Sequence, residues 1–189
     1  MTLSNMIEKA RRLSRTGTNV PNEVITDWLN EAMRQFVIDA GGITEVLDVP
    51  FTGNQIATPQ GFFALHHLFI ARNELKKGSL TMLSESDIEG TPELYFVSGG
   101  KILFNRKASA PGLTAKLIYD RFPTDLVLDT DSPELPEKAH LALVYLAASK
   151  LSEENFEYDE ASRNLANYRN EIQRYNIDQA NANPSIFGR

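Results

Sequence analysis

The chain has 189 residues, enough for one domain with a sizeable core or for a core carrying an inserted module. An apolar fraction of 42% is ordinary for a globular protein, and the absence of cysteine excludes disulfides and thiolate sites. The net charge of −6 sits entirely in residues 124–189, twelve acidic groups against six basic, a sign opposite to that of a protein that grips nucleic acid. No run of about 18 apolar residues occurs, so no membrane span and no membrane partner are expected. The opening MTLSNMIEKARR lacks the apolar stretch of a secretory signal.

Leu3, Ile7, Ala10 and Ser14 share one face of a first helix, with Thr2 in the N-cap position. Its other side carries Arg11, Arg12 and Arg15, with Glu8 within pairing distance along the helix. After the loop RTGTN, Pro21 opens a second helix, and Ile25, Trp28, Leu29, Ala32, Phe36 and Val37 form its wide apolar face. Gly41-Gly42 ends it.

From residue 43 the period changes to two. Ile43–Phe51 alternates loosely and is expected to end in a turn at TGN. Leu65–Arg72 and Leu80–Leu83 are short apolar runs separated by a KKGS turn, and Ser86–Glu89 fits a single helical turn. Tyr95–Val97 and Ile102–Phe104 flank Ser98-Gly99-Gly100-Lys101, a hairpin signal with suitable turn chemistry. Leu113–Tyr119 alternates as a strand. The stretch 43–123 therefore reads as a small antiparallel β module of about five or six strands.

An acidic linker, TDLVLDTDSPE, returns the chain to helical spacing. Ala139, Ala142, Leu143, Leu146 and Ala147 repeat on one face, and Leu141, Val144 and Tyr145 make the others apolar, so this helix is expected to be enclosed on most sides. Pro136 suits its first turn. Ala161, Leu165, Tyr168, Ile172 and Tyr175 form a single stripe on a following helix, for which Asn155 or Asp159 is a candidate cap. Residues 176–189, NIDQANANPSIFGR, have no period and are expected to be an extended arm ending in two large apolar side chains. The fold class is thus α+β: helical hairpins at both ends (1–42 and 124–175) packed as a small bundle, with a β module inserted at 43–123.

No catalytic residue and no metal ligand is nominated, and no cofactor is called for. His66 and His67, adjacent on a strand, point to opposite faces and cannot chelate one ion together. His140 has no His or Cys at i+3 or i+4. The run from Asp129 to Glu134 lacks the glycine and the later glutamate of an EF-hand loop. None of the nucleotide-binding, hydrolase or zinc motifs is present. The basic pairs Lys76-Lys77 and Arg106-Lys107 and the arginines of the first helix belong to three elements, without interleaved aromatics for base stacking. A chain basic at its front helix and acidic at its back hairpin can instead complement a copy of itself head to tail, which closes into a ring.

The order of elements resembles the head-to-tail connector, or adaptor, proteins of tailed bacteriophages. The residues that carry the resemblance are Thr2-Leu-Ser with Val24-Ile-Thr-Asp-Trp-Leu-Asn-Glu-Ala32, then Thr91-Pro-Glu-Leu-Tyr-Phe-Val-Ser-Gly-Gly-Lys-Ile-Leu103, then Leu117-Ile-Tyr-Asp-Arg-Phe-Pro123, and finally Leu135-Pro-Glu with Ala142-Leu-Val-Tyr-Leu-Ala147. The resemblance covers most of the chain, and it departs from the simpler family pattern at LHHLFIARNELKKGSL.

It implies a homo-oligomeric ring, commonly of twelve copies, that joins the portal protein to a downstream tail or neck protein. Double-stranded DNA would pass through without specific binding. Such a protein is assembled in the host cytoplasm and resides in the neck of the virion, and it is not an enzyme. The extended arm is then expected to hold the portal through Asn176, Pro184, Ile186 and Phe187. Contacts between copies fall to Arg11, Arg12 and Arg15 against Glu153, Glu154 and Glu157. Asp125, Asp129, Asp131 and Glu134 are candidates for an acidic channel wall that lets DNA slide. Another neck or tail component (stopper, tail-tube or tail-completion protein) is the alternative, and a small enzyme with a dispersed polar site is a third.

Overall fold

The computed structural model describes residues 1–15, 20–79, 81 and 87–182, with backbone alone at 109–112 and 182. The chain divides into two units, Met1–Ile43 with Phe122–Arg189, and Thr44–Arg121. The first holds four α-helices among the described residues: α1 (Leu3–Ser14), α2 (Asn22–Ala40), α3 (His140–Glu154) and α4 (Tyr158–Ala182). Among the described residues the second holds six strands: β1 (Ile43–Ala57, whose first residue belongs to the helical unit), β2 (Phe62–Ile70), β3 (Asn73–Glu74), β4 (Lys76–Lys77), β5 (Leu94–Ser98) and β6 (Lys101–Arg121).

In the helical unit α3 is the hub, touching each of the other three helices. Leu143, Val144, Ala147, Ala148 and Leu151 are completely buried, and Ala142 nearly so. The alanines let neighbouring helices approach closely, while the larger side chains fill the space between them. Enclosure leaves the buried polar atoms of α3 without water, and each has a partner, as burial demands. Ser149 Oγ donates to the Ala161 carbonyl at 2.9 Å, and Ser152 Oγ donates to the Ala148 carbonyl at 2.9 Å. His140 sits with Nε2 2.9 Å from the Leu135 carbonyl and Nδ1 2.7 Å from the Met1 amino group. Those partners make Nε2 the donor and Nδ1 the acceptor of a neutral ring, and burial holds its pKa below the usual imidazole range.

Around this hub α1 buries Leu3, Met6, Ile7 and Ala10, and α2 buries Ile25, Leu29, Ala32, Met33, Phe36 and Val37. The Thr2 hydroxyl accepts from the Asn5 N–H at 3.4 Å, a long version of the expected cap. Two ties fix α4 to the end of α2: Tyr168 donates its hydroxyl to Asp39 at 2.6 Å, and Tyr175 meets Phe36 edge to face at 5.1 Å. Burial and the Asp39 carboxylate push the Tyr168 phenol above its usual pKa. Asn155, a candidate cap for α4, instead closes α3, its Nδ2 donating to the Leu151 carbonyl at 2.7 Å.

The β unit is built on β6. This 21-residue strand pairs with β5 through Lys101–Phe104 and with β2 through Ala115–Arg121, and β1 pairs with it as well. The sheet, ordered β3-β2-β6-β5-β4, curls into a nearly closed barrel. Its core takes Ile102, Phe104 and Ala108 from the first half of β6 but Ala115, Leu117 and Tyr119 from the second. The inward parity thus changes from even to odd across a stretch that contains Pro111-Gly112, residues a sheet accommodates where its ladder is interrupted. β1 changes parity likewise, from Phe51 to Ile56, on either side of Gly53 at φ +86°. The expected turn at TGN is therefore a bend within one continuous strand.

The Ser98–Lys101 hairpin stands where its turn chemistry puts it, with Gly99 and Gly100 both at positive φ. Two other expectations need correcting. Lys76–Lys77 is not a turn but a short strand, and it runs parallel to β5, so the module is not wholly antiparallel. Leu113–Tyr119 is not a separate strand but the end of β6. Leu80, Met82 and Leu83 of the expected apolar run and Ser86 of the expected helical turn lie outside the described residues, but Asp87–Glu89 are not helical: Glu89 forms an isolated parallel bridge with Lys107, and the Lys107 N–H donates to the Ile88 carbonyl at 2.9 Å.

The linker 124–134 is fastened to α2 by one buried side chain. Asn30 Nδ2 donates to the Leu126 carbonyl at 3.1 Å while its Oδ1 accepts the Leu126 N–H at 2.8 Å. Replacing Asn30 with Ala strands both backbone groups away from water, which costs about 2–4 kcal/mol. Urea denaturation of Asn30→Ala should show that loss as a lower midpoint with an unchanged slope.

Candidate interaction surfaces

The linker acids are the first candidates, and three of the four are occupied at home. Asp125 accepts from Arg34 Nη2 through both oxygens, at 2.6 and 2.7 Å. Asp131 Oδ2 accepts the N–H groups of Val127 at 2.9 Å and Leu128 at 2.8 Å, and these bonds lower its pKa. Glu134 accepts the Thr124 N–H at 3.0 Å. Asp129 differs: its carbonyl accepts the Ser4 N–H at 3.2 Å, but its side chain is exposed and has no partner among the described residues.

The result is a tightly stapled loop. Leu126 is its buried root, and the Leu3 N–H donates to the Asp131 carbonyl at 2.7 Å, tying the loop to the start of α1. At its crest Val127 and Leu128 stand 75% and 63% exposed. Sequence reasoning missed this pair, although two adjacent large apolar residues inside an acidic linker were a visible signal.

The arginines of α1 are largely engaged within their own chain. Arg11 Nη2 donates to the Val20 carbonyl at 2.6 Å and to Asn22 Oδ1 at 2.8 Å. Arg15 lies 3.1 Å from Glu160, which also takes Arg163. Arg12 keeps only a 3.6 Å pair with Glu8, both of them exposed. On the back hairpin, Glu153, Glu154 and Glu157 are exposed and form no ion pair among the described residues. They ring the α3–α4 turn, where Phe156 and Tyr158 meet edge to face at 6.4 Å and are 77% and 62% exposed. Phe156 has φ +61°, a left-handed conformation normally left to glycine after a helix, and one that costs a β-substituted residue about 1–2 kcal/mol.

The expected arm is in part a correction. Asn176 is not in extended chain, because α4 continues to Ala182. It is held on the helical unit, Nδ2 reaching the Asp39 carbonyl at 3.5 Å. Its neighbourhood is a groove of about 620 Å³ lined by Asp39, Tyr168, Arg169, Ile172, Asn176 and Ile177 among others. Pro184, Ile186 and Phe187 lie outside the described residues.

The remaining histidines belong to the β unit. His66 Nε2 is 2.9 Å from Asp120, whose other oxygen accepts the Thr44 hydroxyl at 2.7 Å, and His67 Nδ1 is 2.6 Å from Glu74. A register shift between Leu65 and His67 leaves both rings exposed. Among the described residues no three His, Asp or Glu side chains are grouped so as to hold a metal ion, and no helix is long and apolar enough to cross a membrane.

Compared with known proteins, residues 1–186 match the family described as SU10 adaptor protein. No curated protein matches the chain. A match over nearly the whole length means that the chain belongs to that family of phage adaptors, structural components of the virion.

The Asp131 staple has a pH signature. Its carboxyl titrates lower in the folded chain than in the unfolded chain, so the stabilisation it gives is complete above the ordinary carboxylate range. That stabilisation disappears as pH falls through the depressed folded value. In NMR titrations the Val127 and Leu128 amide protons should report one shared midpoint below the ordinary Asp range, and Asp131→Ala should abolish it.

Proposed function

We propose that this adaptor acts as the subunit of a ring between the portal and the next neck or tail protein, with DNA running through the centre. The family match over residues 1–186 carries the proposal. The helical unit supports it by offering exposed apolar groups at several separate places, among them Val127–Leu128, Phe156–Tyr158 and Ile177. A subunit that must meet a copy on each side and a different protein above and below needs several such surfaces.

In this role the hairpin tip, with Phe156 and Tyr158 rimmed by Glu153, Glu154 and Glu157, faces a coaxial partner. An aromatic centre with a charged rim is the usual make-up of such contacts. The last residues beyond α4 hold the portal through Pro184, Ile186 and Phe187. Asp131 and Glu134 accept hydrogen bonds from neutral N–H groups and so keep their charge while bracing the linker. Repeated around a ring, they and the other acids make a wall that repels phosphate. Asp125, neutralised by Arg34, contributes less.

The test is removal of residues 183–189. Losing two apolar anchors should weaken co-sedimentation with the portal roughly ten- to a hundred-fold while leaving the helical content intact. Full portal binding by the truncated chain would remove the arm from the account.

A further inference from the structure

We propose that the Val127–Leu128 crest of one subunit seats in the groove between the end of α2 and the second half of α4 on the next copy of the chain. The contact rests on the ring proposed above and names the surfaces that close it. Three observations converge on it.

The first is placement. The linker is fixed to α2 at Asn30 and Arg34, whereas the groove begins at Asp39. Asn30 and Asp39 are nine residues apart, about half a turn of difference around a helix of 3.6 residues per turn. Crest and groove therefore occupy opposite sides of α2. Two different patches on opposite sides of one rigid element are what a head-to-tail contact requires, and repetition of that contact by rotation closes a ring.

The second is chemistry. The groove exposes mainly apolar surface from Ile172, Ile177 and Ala180, with Ile177 52% exposed. The crest presents two aliphatic side chains of matching character. Beside the crest stands Asp129 and on the groove stands Arg169, both exposed and neither with a side-chain partner among the described residues. The negative charge flanks the crest and the positive charge flanks the groove, which fixes the direction of the contact.

The third is preorganisation. Exposed aliphatic pairs on loose loops are common, but this loop is held at both roots. Asn30 grips Leu126, Asp131 grips the backbone of the crest itself, and Leu3 and Ser4 donate to the Asp131 and Asp129 carbonyls. A crest that is already ordered loses little entropy on docking.

The chain contains no cysteine, which permits a clean crosslinking test. A chain carrying both Leu128→Cys and Ile177→Cys, treated with a short bismaleimide, should give a ladder of covalent oligomers, while each single variant stays monomeric. A ladder absent from preparations in which the wild type sediments as an oligomer would overturn this contact and leave the ring standing. A ladder absent while the wild type is monomeric, alone and with portal, would overturn both. As a second measurement, Asp129→Arg and Arg169→Asp should each weaken assembly roughly five-fold or more, and the two together should restore it. Failure of the double reversal to recover would contradict the pairing.

Discussion

The helical unit depends on one constraint: α3 has almost no solvent face. A helix in that position has to be covered on every side, and the three remaining helices do the covering. Its composition follows. Alanine recurs where another helix presses close, leucine and valine where there is space, and the few polar atoms are those that find a carbonyl within reach. Because the centre is filled, every surface left for partners lies on the outer helices, on their turns, or on the linker.

The linker shows how charge can serve structure before it serves a partner. Irregular backbone cannot satisfy its own N–H groups, so something else must accept them. Here the acceptors are the side chains of Asn30, Asp131 and Glu134, with Arg34 drawing in Asp125. The acidity that dominates the last third of the sequence is thus partly a set of braces. A carboxylate that accepts from a neutral amide still carries its charge, so bracing and a negative wall are compatible.

Much of the architecture was legible because it follows from periodicity. The enclosed character of α3 is written in its lack of a polar face, and the single stripe from Ala161 to Tyr175 marks α4 as a cover. The glycine pair at 99–100 marks a hairpin because both positions need positive φ. Legibility failed where long-range pairing overrode local chemistry. Gly53 suggests a turn, yet the strand continues through it as part of a single β1 that pairs with β6. Lys76-Lys77 looks like a charged turn until the neighbouring β5 gives it a partner. Asn176–Ala182 has no apolar period, yet the helix persists, with Asn176 bonded back to Asp39 and Asp178 to Lys138. The arginines misled for a related reason. Arg11 and Arg15 appear free in sequence, and only the fold shows the carbonyl and carboxylate that claim them. The groove and the crest depend on residues far apart in the chain, beyond the reach of any local pattern.

A braced crest, a groove half a turn away and an acidic excess make sense together in a subunit that meets its own copies around a charged polymer. Electron-microscopic class averages of the full-length protein mixed with its portal test that account most directly. It predicts an additional ring stacked coaxially on the portal, with density for the helical unit in contact from copy to copy. Bare portals beside dispersed monomers, at concentrations well above those of assembly in an infected cell, would contradict it.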